Sequence, residues 1–141
     1  MSLHNDSKAD IWAAGDAYEP YVGRWSRSVA REFLQWLAVP GDRSWLDVGC
    51  GTGALSQTIL AITLPRQVTM IDRSQGYITY ARERAIQDSL RFNVADAQTL
   101  PFPANRFDAV VSGLVLNFVP EPPRAVSEMA RVTRPGGTVA L

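Results

Sequence analysis

The chain reads as an α/β protein of the Rossmann-like, doubly wound kind with a mainly parallel sheet. Three observations carry that reading. Short apolar strand patterns alternate with helical ones along nearly the whole sequence. Glycines stand on alternate positions, 49, 51 and 53, between the first strand and the helix after it. Acids close or closely follow the first three strands, at Asp47, Asp72 and Asp96. Alternating strands and helices imply right-handed crossovers and parallel pairing.

Residues 1–20 are polar and aperiodic, and they are expected to form a loose arm ahead of a single domain over 21–141. From Trp25 the pattern is helical: Val29, Phe33, Trp36 and Leu37 share one face, Ser26 or Ser28 suits the cap, and Pro40-Gly41-Asp42 ends the helix. Ser44–Val48 is the first strand. Ala54–Thr63 is a helix with Leu55, Ile59 and Ile62 inward, stopped by Pro65. Gln67–Ile71 is the second strand and ends at Asp72. Gln75–Gln87 is a helix burying Ile78, Ala81 and Ala85. Leu90–Val94 is a short third strand. Pro101-Phe102-Pro103 stiffens a loop over 97–106. Phe107–Ser112 is a near-continuous apolar run, suited to the middle of a parallel sheet. Pro122 and Pro123 suit the first turn of a helix with Ala125, Val126, Met129 and Val132 inward. Pro135-Gly136-Gly137 stops that helix, and Thr138–Leu141 begins a fifth strand. No polar cap follows Leu141, so the sheet is expected to be truncated after this strand, with C-terminal strands missing and the natural protein continuing.

Composition narrows the function classes. Of 141 residues, 14 are basic and 14 acidic, which leaves no basic footprint for nucleic acid. No run approaches the ~20 apolar residues of a membrane span. The start lacks a signal peptide, and the single cysteine, Cys50, has no partner for an internal disulfide, so a cytoplasmic setting is the simplest expectation.

The chemistry concentrates around residues 47–53. Glycines allow a tight turn and close approach of a ligand, and the helix that follows aims free N–H groups at it. A loop built for a pyrophosphate gains nothing from the carboxylate of Asp47, whereas a cationic nucleoside is attracted to it. S-adenosylmethionine (SAM) is the common ligand of that kind. In an open α/β sheet the ligand lies beyond the C-terminal strand ends. Asp72, about 20 residues after the loop, can accept both ribose hydroxyls. Asp96 can accept from an adenine amino group, and the N–H of Ala97 can face a ring nitrogen. A lone acid at a strand end is often merely solvated; three at successive ends beside a glycine loop favour a binding site. Cys50, without an evident base, reads as a small loop filler, and Asp108 and Glu128 read as structural.

Glycines 49, 51 and 53 give G-x-G-x-G, and the dinucleotide spacing G-x-G-x-x-G would need glycine at Ala54, a substitution that fingerprint tolerates. A nicotinamide-dependent oxidoreductase is therefore the second enzyme reading, disfavoured by Asp47 and by the lack of a separate substrate domain. A SAM-binding module without transfer activity is the third.

The chain resembles the class I SAM-dependent methyltransferases, in particular the small-molecule group that includes ubiquinone-biosynthesis-type enzymes. Asp47-Val48-Gly49-Cys50-Gly51-Thr52-Gly53 matches the family's first motif at every position. Asp72-Arg73-Ser74 matches its acidic second strand end, although Arg73 stands where an apolar residue is more usual. Ala95-Asp96-Ala97, Leu100-Pro101-Phe102, Arg106–Val110, Glu128, Arg131-Val132 and Arg134–Gly137 match the later stretches. The resemblance implies SAM held by Asp47, Gly49, Cys50, Gly51, Gly53, Asp72, Arg73, Asp96 and Ala97, a complete sheet of seven strands, and methyl transfer to a small-molecule acceptor. It also implies an N-terminal segment folded over the cofactor, where Tyr18, Tyr21 or Arg24 can reach the SAM carboxylate. Asn117 stands where the family often has His, so no titratable base is expected there; the only histidine, His4, lies in the arm.

Overall fold

The computed structural model describes residues 24–141. The arm over 1–20, His4, Tyr18 and the cofactor contact expected of Tyr21 lie outside the described residues.

Helix α1 (Arg24–Leu37) leads into β1 (Ser44–Val48), α2 (Ala54–Ile62), β2 (Gln67–Asp72), α3 (Gln75–Glu83), β3 (Leu90–Val94), β4 (Phe107–Val111), α4 (Pro122–Val132) and β5 (Thr133–Ala140), with a 3-10 turn at Leu116–Phe118. The strands form one parallel sheet in the order β3-β2-β1-β4-β5. β1 lies at the centre and is buried along its whole length. The chain leaves β1 toward β2 and β3, then returns to its other side as β4. That reversal opens a crevice at the C-terminal end of β1.

The sheet separates two apolar layers. On one face, Trp45, Val68, Met70, Ala109 and Val111 pack with Ala30 and Leu34 of α1, Leu55 and Ile59 of α2, and Ile78 and Ala81 of α3. On the other, Leu46, Val48, Ile71, Phe107 and Val110 pack with Met129 and Val132 of α4 and with Leu100 and Phe102 of the loop. Fully burying an aliphatic side chain of this size is worth ~1.5–3 kcal/mol. Phe102 meets the Phe107 ring edge-on, with centroids 5.0 Å apart.

The elements follow the sequence pattern with five differences, the first on α4, where Val126 is 38% exposed and only Ala125, Met129 and Val132 are buried. In α1 the inner face is Ala30, Phe33, Leu34 and Leu37, while Val29 is 59% and Trp36 77% exposed. The helix thus turns Leu34 and Ala30 fully into the core, and Val29 and Trp36 lie on its outer side. The helix begins at Arg24, so Ser26 and Ser28 lie inside it rather than at its cap. Helix α3 stops at Glu83, not Gln87: Ala85 N bonds Arg82 O at 3.2 Å in a tightened last turn, and Ile86 is exposed. Strand β5 starts at Thr133, but its register against β4 breaks between Phe107 and Ala109 and the regular ladder resumes at Thr138. Gly136, at φ 78°, takes up the irregularity.

Two readings of structural residues hold. Asp108 accepts from Ser44 N at 2.8 Å and pairs with Arg134, tying β1, β4 and β5 together. Glu128 accepts from Leu100 N at 2.8 Å and from Arg131, whose guanidinium also donates to Phe102 O at 2.8 Å and Leu100 O at 3.1 Å. This clamp fixes the loop before β4 onto α4.

Candidate functional site

The glycine loop is held open by its neighbours. Gly49 N and Cys50 N both donate to Ile71 O at 2.9 Å, which bends the chain sharply off the end of β1. Gly49 has φ 73°, and a Cβ there would lie 2.6 Å from either methyl group of Val115. Gly53, at φ 94°, caps α2 and lies under the Met70 methyl. Gly51 differs: at φ 53°, a Cβ on it would meet nothing within 4 Å among the described residues. The outer surface of the loop at Gly51 therefore faces free space beside acidic groups.

Asp72 ends β2 against this loop. One oxygen accepts from Gly51 N at 3.0 Å and the other from Ser74 N at 2.8 Å. The residue is only 8% exposed. A carboxylate has about four acceptor positions, so two remain for a ligand. Asp72 thus shapes the loop as well as offering oxygens beside it. The Asp-x-Ser spacing carried the second of these bonds in plain view, as an Asx turn. The bond to Gly51 had no local signal. Ser74 also caps α3, accepting from Tyr77 N at 3.3 Å.

Asp47 points beneath the loop. It is 1% exposed and accepts from Ser56 Oγ of α2 at 2.7 Å. Burial pushes its carboxyl up to about 6 despite that bond, and the Asp72 charge adds to the rise. It lies too deep to touch a ligand above the loop, so its pull acts through the loop. Cys50 is buried, and burial together with both acids pushes its thiol well above the ordinary range. It stays protonated and fills space, with Sγ 3.7 Å from Gly51 O.

Asp96 is exposed beyond β3. The Gln98 N–H at 2.8 Å and the Gln98 side chain hold its carboxyl below the ordinary range, with help from the charges of Arg73 and Arg124. Gln98 Oε1 in turn accepts from Glu121 N at 3.1 Å, at the start of α4. Arg73 is exposed between Asp72 and Asp96, and Ala97 is half-buried against the second apolar layer.

On the far side of the loop, β4 is followed by Ser112, whose buried hydroxyl donates to Val48 O at 2.8 Å. Leu114 follows at φ 58°, 74% exposed, then Val115 over Gly49. Asn117 and Phe118 are exposed on the 3-10 turn. Sequence reasoning missed Ser56, Ser74, Gln98 and Val115. All act through partners distant in sequence or through their own backbone. Among the described residues no His, Cys, Asp and Glu cluster is arranged to hold a metal ion, and no helix is long and apolar enough to cross a membrane.

A family model described as a methyltransferase domain matches residues 46–141. The chain is 38% identical over 122 residues to a demethylmenaquinone methyltransferase of Symbiobacterium thermophilum, covering 82% of this chain and 48% of that protein. Among solved structures it resembles the methyltransferase in a complex with the Haloferax volcanii Trm112 methyltransferase activator, at TM-score 0.81 and 26% identity, over 98% of this chain and 60% of that one. It also resembles the [4+2]-cyclase SpnF, at TM-score 0.72 and 34% identity, over 80% of this chain and 44% of that one. The chain spans about half the length of the curated relative it matches.

Proposed function

Since this chain belongs to the class I SAM-dependent methyltransferase family, we propose that it binds SAM over the C-terminal ends of β1, β2 and β3 and transfers its methyl group to a small-molecule acceptor. The observation that carries the reading is the open face of Gly51 beside the spare oxygens of Asp72. A nucleoside lies in that space with its ribose hydroxyls toward Asp72, its adenine between Arg73 and Asp96, and its cationic end over the loop above Asp47. Gly49, Cys50 and Gly53 shape the loop rather than reach the ligand by side chain. Tyr21 stays in the proposal as the carboxylate contact.

SAM supplies an electrophilic methyl group on a sulfonium, which leaves the protein little bond chemistry to do. The residues orient the two partners and keep water away, and such positioning can supply ~7–11 kcal/mol of the barrier. The acceptor enters from the side of Leu114, Asn117 and Phe118. Two exposed apolar side chains there suit an apolar acceptor, in keeping with the quinone precursor named for the Symbiobacterium relative. Asn117 cannot titrate, so the acceptor brings its own nucleophile as a phenolate, thiol, amine or enolate-like carbon. A reduced cytoplasmic setting fits the buried, unpaired thiol of Cys50.

Calorimetry with SAM, S-adenosylhomocysteine and NAD tests the ligand. SAM and S-adenosylhomocysteine should bind, and NAD far more weakly; equal or tighter NAD binding overturns the reading. The likeness to a protein named a [4+2]-cyclase, not a methyltransferase, favours a second reading for this chain, a SAM-binding module without transfer activity. Formation of S-adenosylhomocysteine with an apolar phenol or hydroquinone separates the two.

A further inference from the structure

Ser56 occupies the first turn of α2, has no exposed surface, and turns its hydroxyl away from its own helix. Buried hydroxyls in helices ordinarily bond back to the carbonyl one turn earlier. Thr58 does so to Ala54 O at 2.8 Å, and Thr63 at the helix end does so to Ile59 O at 2.8 Å. Ser56 instead crosses to β1 and donates to Asp47 Oδ2 at 2.7 Å. Alanine would fill the same space if packing were the only need.

The carboxylate it meets is costly to keep charged. A buried anion without compensation tends to take up a proton. The described groups that act on Asp47 are few. Ser56 stabilises the charge through its hydroxyl and its backbone, while Asp72 on β2 opposes it, and burial raises the carboxyl to about 6. Cys50, in the loop above, is neutral. Asp47 therefore stands close to the point at which it would lose its charge near neutral pH.

We infer that Ser56 is a positioning residue for cofactor binding: its hydroxyl keeps Asp47 ionised beneath the glycine loop, where that charge attracts the cationic end of SAM across a poorly screened layer of backbone. This rests on the SAM reading above. Ser56 itself touches no ligand. Its effect is confined to charged ligands and to the pH range in which Asp47 changes state.

The test compares the unaltered chain with Ser56→Ala and Ser56→Cys by calorimetry between pH 5 and 7.5, using SAM and adenosine, with thermal melts alongside. SAM affinity of the unaltered chain should fall as pH drops through about 6. In Ser56→Ala the fall should begin about one pH unit higher, because a bond to the charged form of Asp47 is lost. The gap between the two should be severalfold near pH 6.5 and narrow on either side. Adenosine, which carries no charge, should bind both alike. Ser56→Cys, with a weaker donor, should shift in the same direction, and it carries the comparison if the alanine variant does not fold. Superimposable SAM profiles, or an equal loss for SAM and adenosine at every pH, overturn the inference while leaving the SAM reading intact. No SAM binding by the unaltered chain at any pH overturns both.

Discussion

The carboxylate of Asp72 lies 3.0 Å from the amide nitrogen of Gly51, across the gap between the end of β2 and the loop that follows β1. One side chain thereby sets the shape of the loop and faces the space above it. From sequence, a strand-end acid is expected to matter for ligand binding and hardly at all for folding. Burial and two backbone donors change the second half of that expectation.

Asp72→Ala should therefore lose both functions. Each unmet donor costs ~1–3 kcal/mol, so the melting temperature should fall measurably. SAM affinity should fall roughly ten- to a hundredfold, at ~1.4 kcal/mol per decade. Calorimetry and thermal melts read the two effects separately. An unchanged SAM affinity would show that the ribose lies elsewhere.

The loop glycines should separate stability from binding. Gly49→Ala places a methyl against Val115 and strains a positive φ, so it should unfold easily. Val115→Ala in the same chain should recover most of the steric part, since only the Cβ of residue 115 remains near, at 3.0 Å, and leave ~1–2 kcal/mol of backbone strain. Gly51→Ala meets no atom of the described residues, so its folding cost should be the strain of the positive φ. Its cofactor affinity should nevertheless drop sharply, because the new methyl enters the proposed ligand space. If Gly51→Ala binds SAM as well as the unaltered chain, the ligand does not lie against that face.

Asp47 should trade stability against binding. Its folded carboxyl is raised from 3.8 to about 6. For an acid this direction means that the folded state is penalised once the group must ionise. The penalty is absent below about pH 3.8, grows up to about pH 6 and is full above it. At pH 7 it amounts to roughly 3 kcal/mol, from 1.36 kcal/mol per unit. Asp47→Asn should therefore melt higher than the unaltered chain at pH 7, with the difference shrinking toward pH 4, while SAM binds less tightly. A lower melting temperature for Asp47→Asn at pH 7 would contradict the burial argument.

Arg131→Ala should release the loop over Leu100 and Phe102 from α4. Arg131 is partly open to solvent, which weakens its ion pair with Glu128, so a small but measurable fall in melting temperature is expected. SAM affinity should change little, since the clamp lies on the α4 face of the sheet and no arm of it reaches the glycine loop. Melts and calorimetry on the same samples check both halves.

The parallel sheet, the positions of most strands and helices, and the acids at the strand ends were legible in the residues, because period, glycine spacing and strand ends are local signals. The inner face of α1 was not. Trp36 and Val29 weigh heavily in a hydrophobic pattern, yet Ala30 and Leu34 are the fully buried pair, and a face shifted by one residue still shares Phe33 and Leu37 with the expected one. Ser56 was passed over for a similar reason. Its neighbours Leu55 and Ile59 announce a core helix, and nothing within the helix reveals that its hydroxyl answers to Asp47 on a different element. The break in β5 hid in Pro135-Gly136-Gly137, a stretch that reads as a turn and instead interrupts a strand already begun at Thr133.

The central place of β1 has an evolutionary consequence. Residues of β1 through β3 and their loops build one wall of the crevice, and the stretch after β4 builds the other. The walls meet where Val115 lies over Gly49 and where Ser112 bonds Val48 O. Substitutions at Leu114, Asn117 or Phe118, exposed on the second wall, can thus accumulate without disturbing the wall proposed to hold the nucleoside. If the proposed acceptor side is right, a lineage could exchange one methyl acceptor for another by drift in a handful of positions, with the seam between the walls as its main constraint.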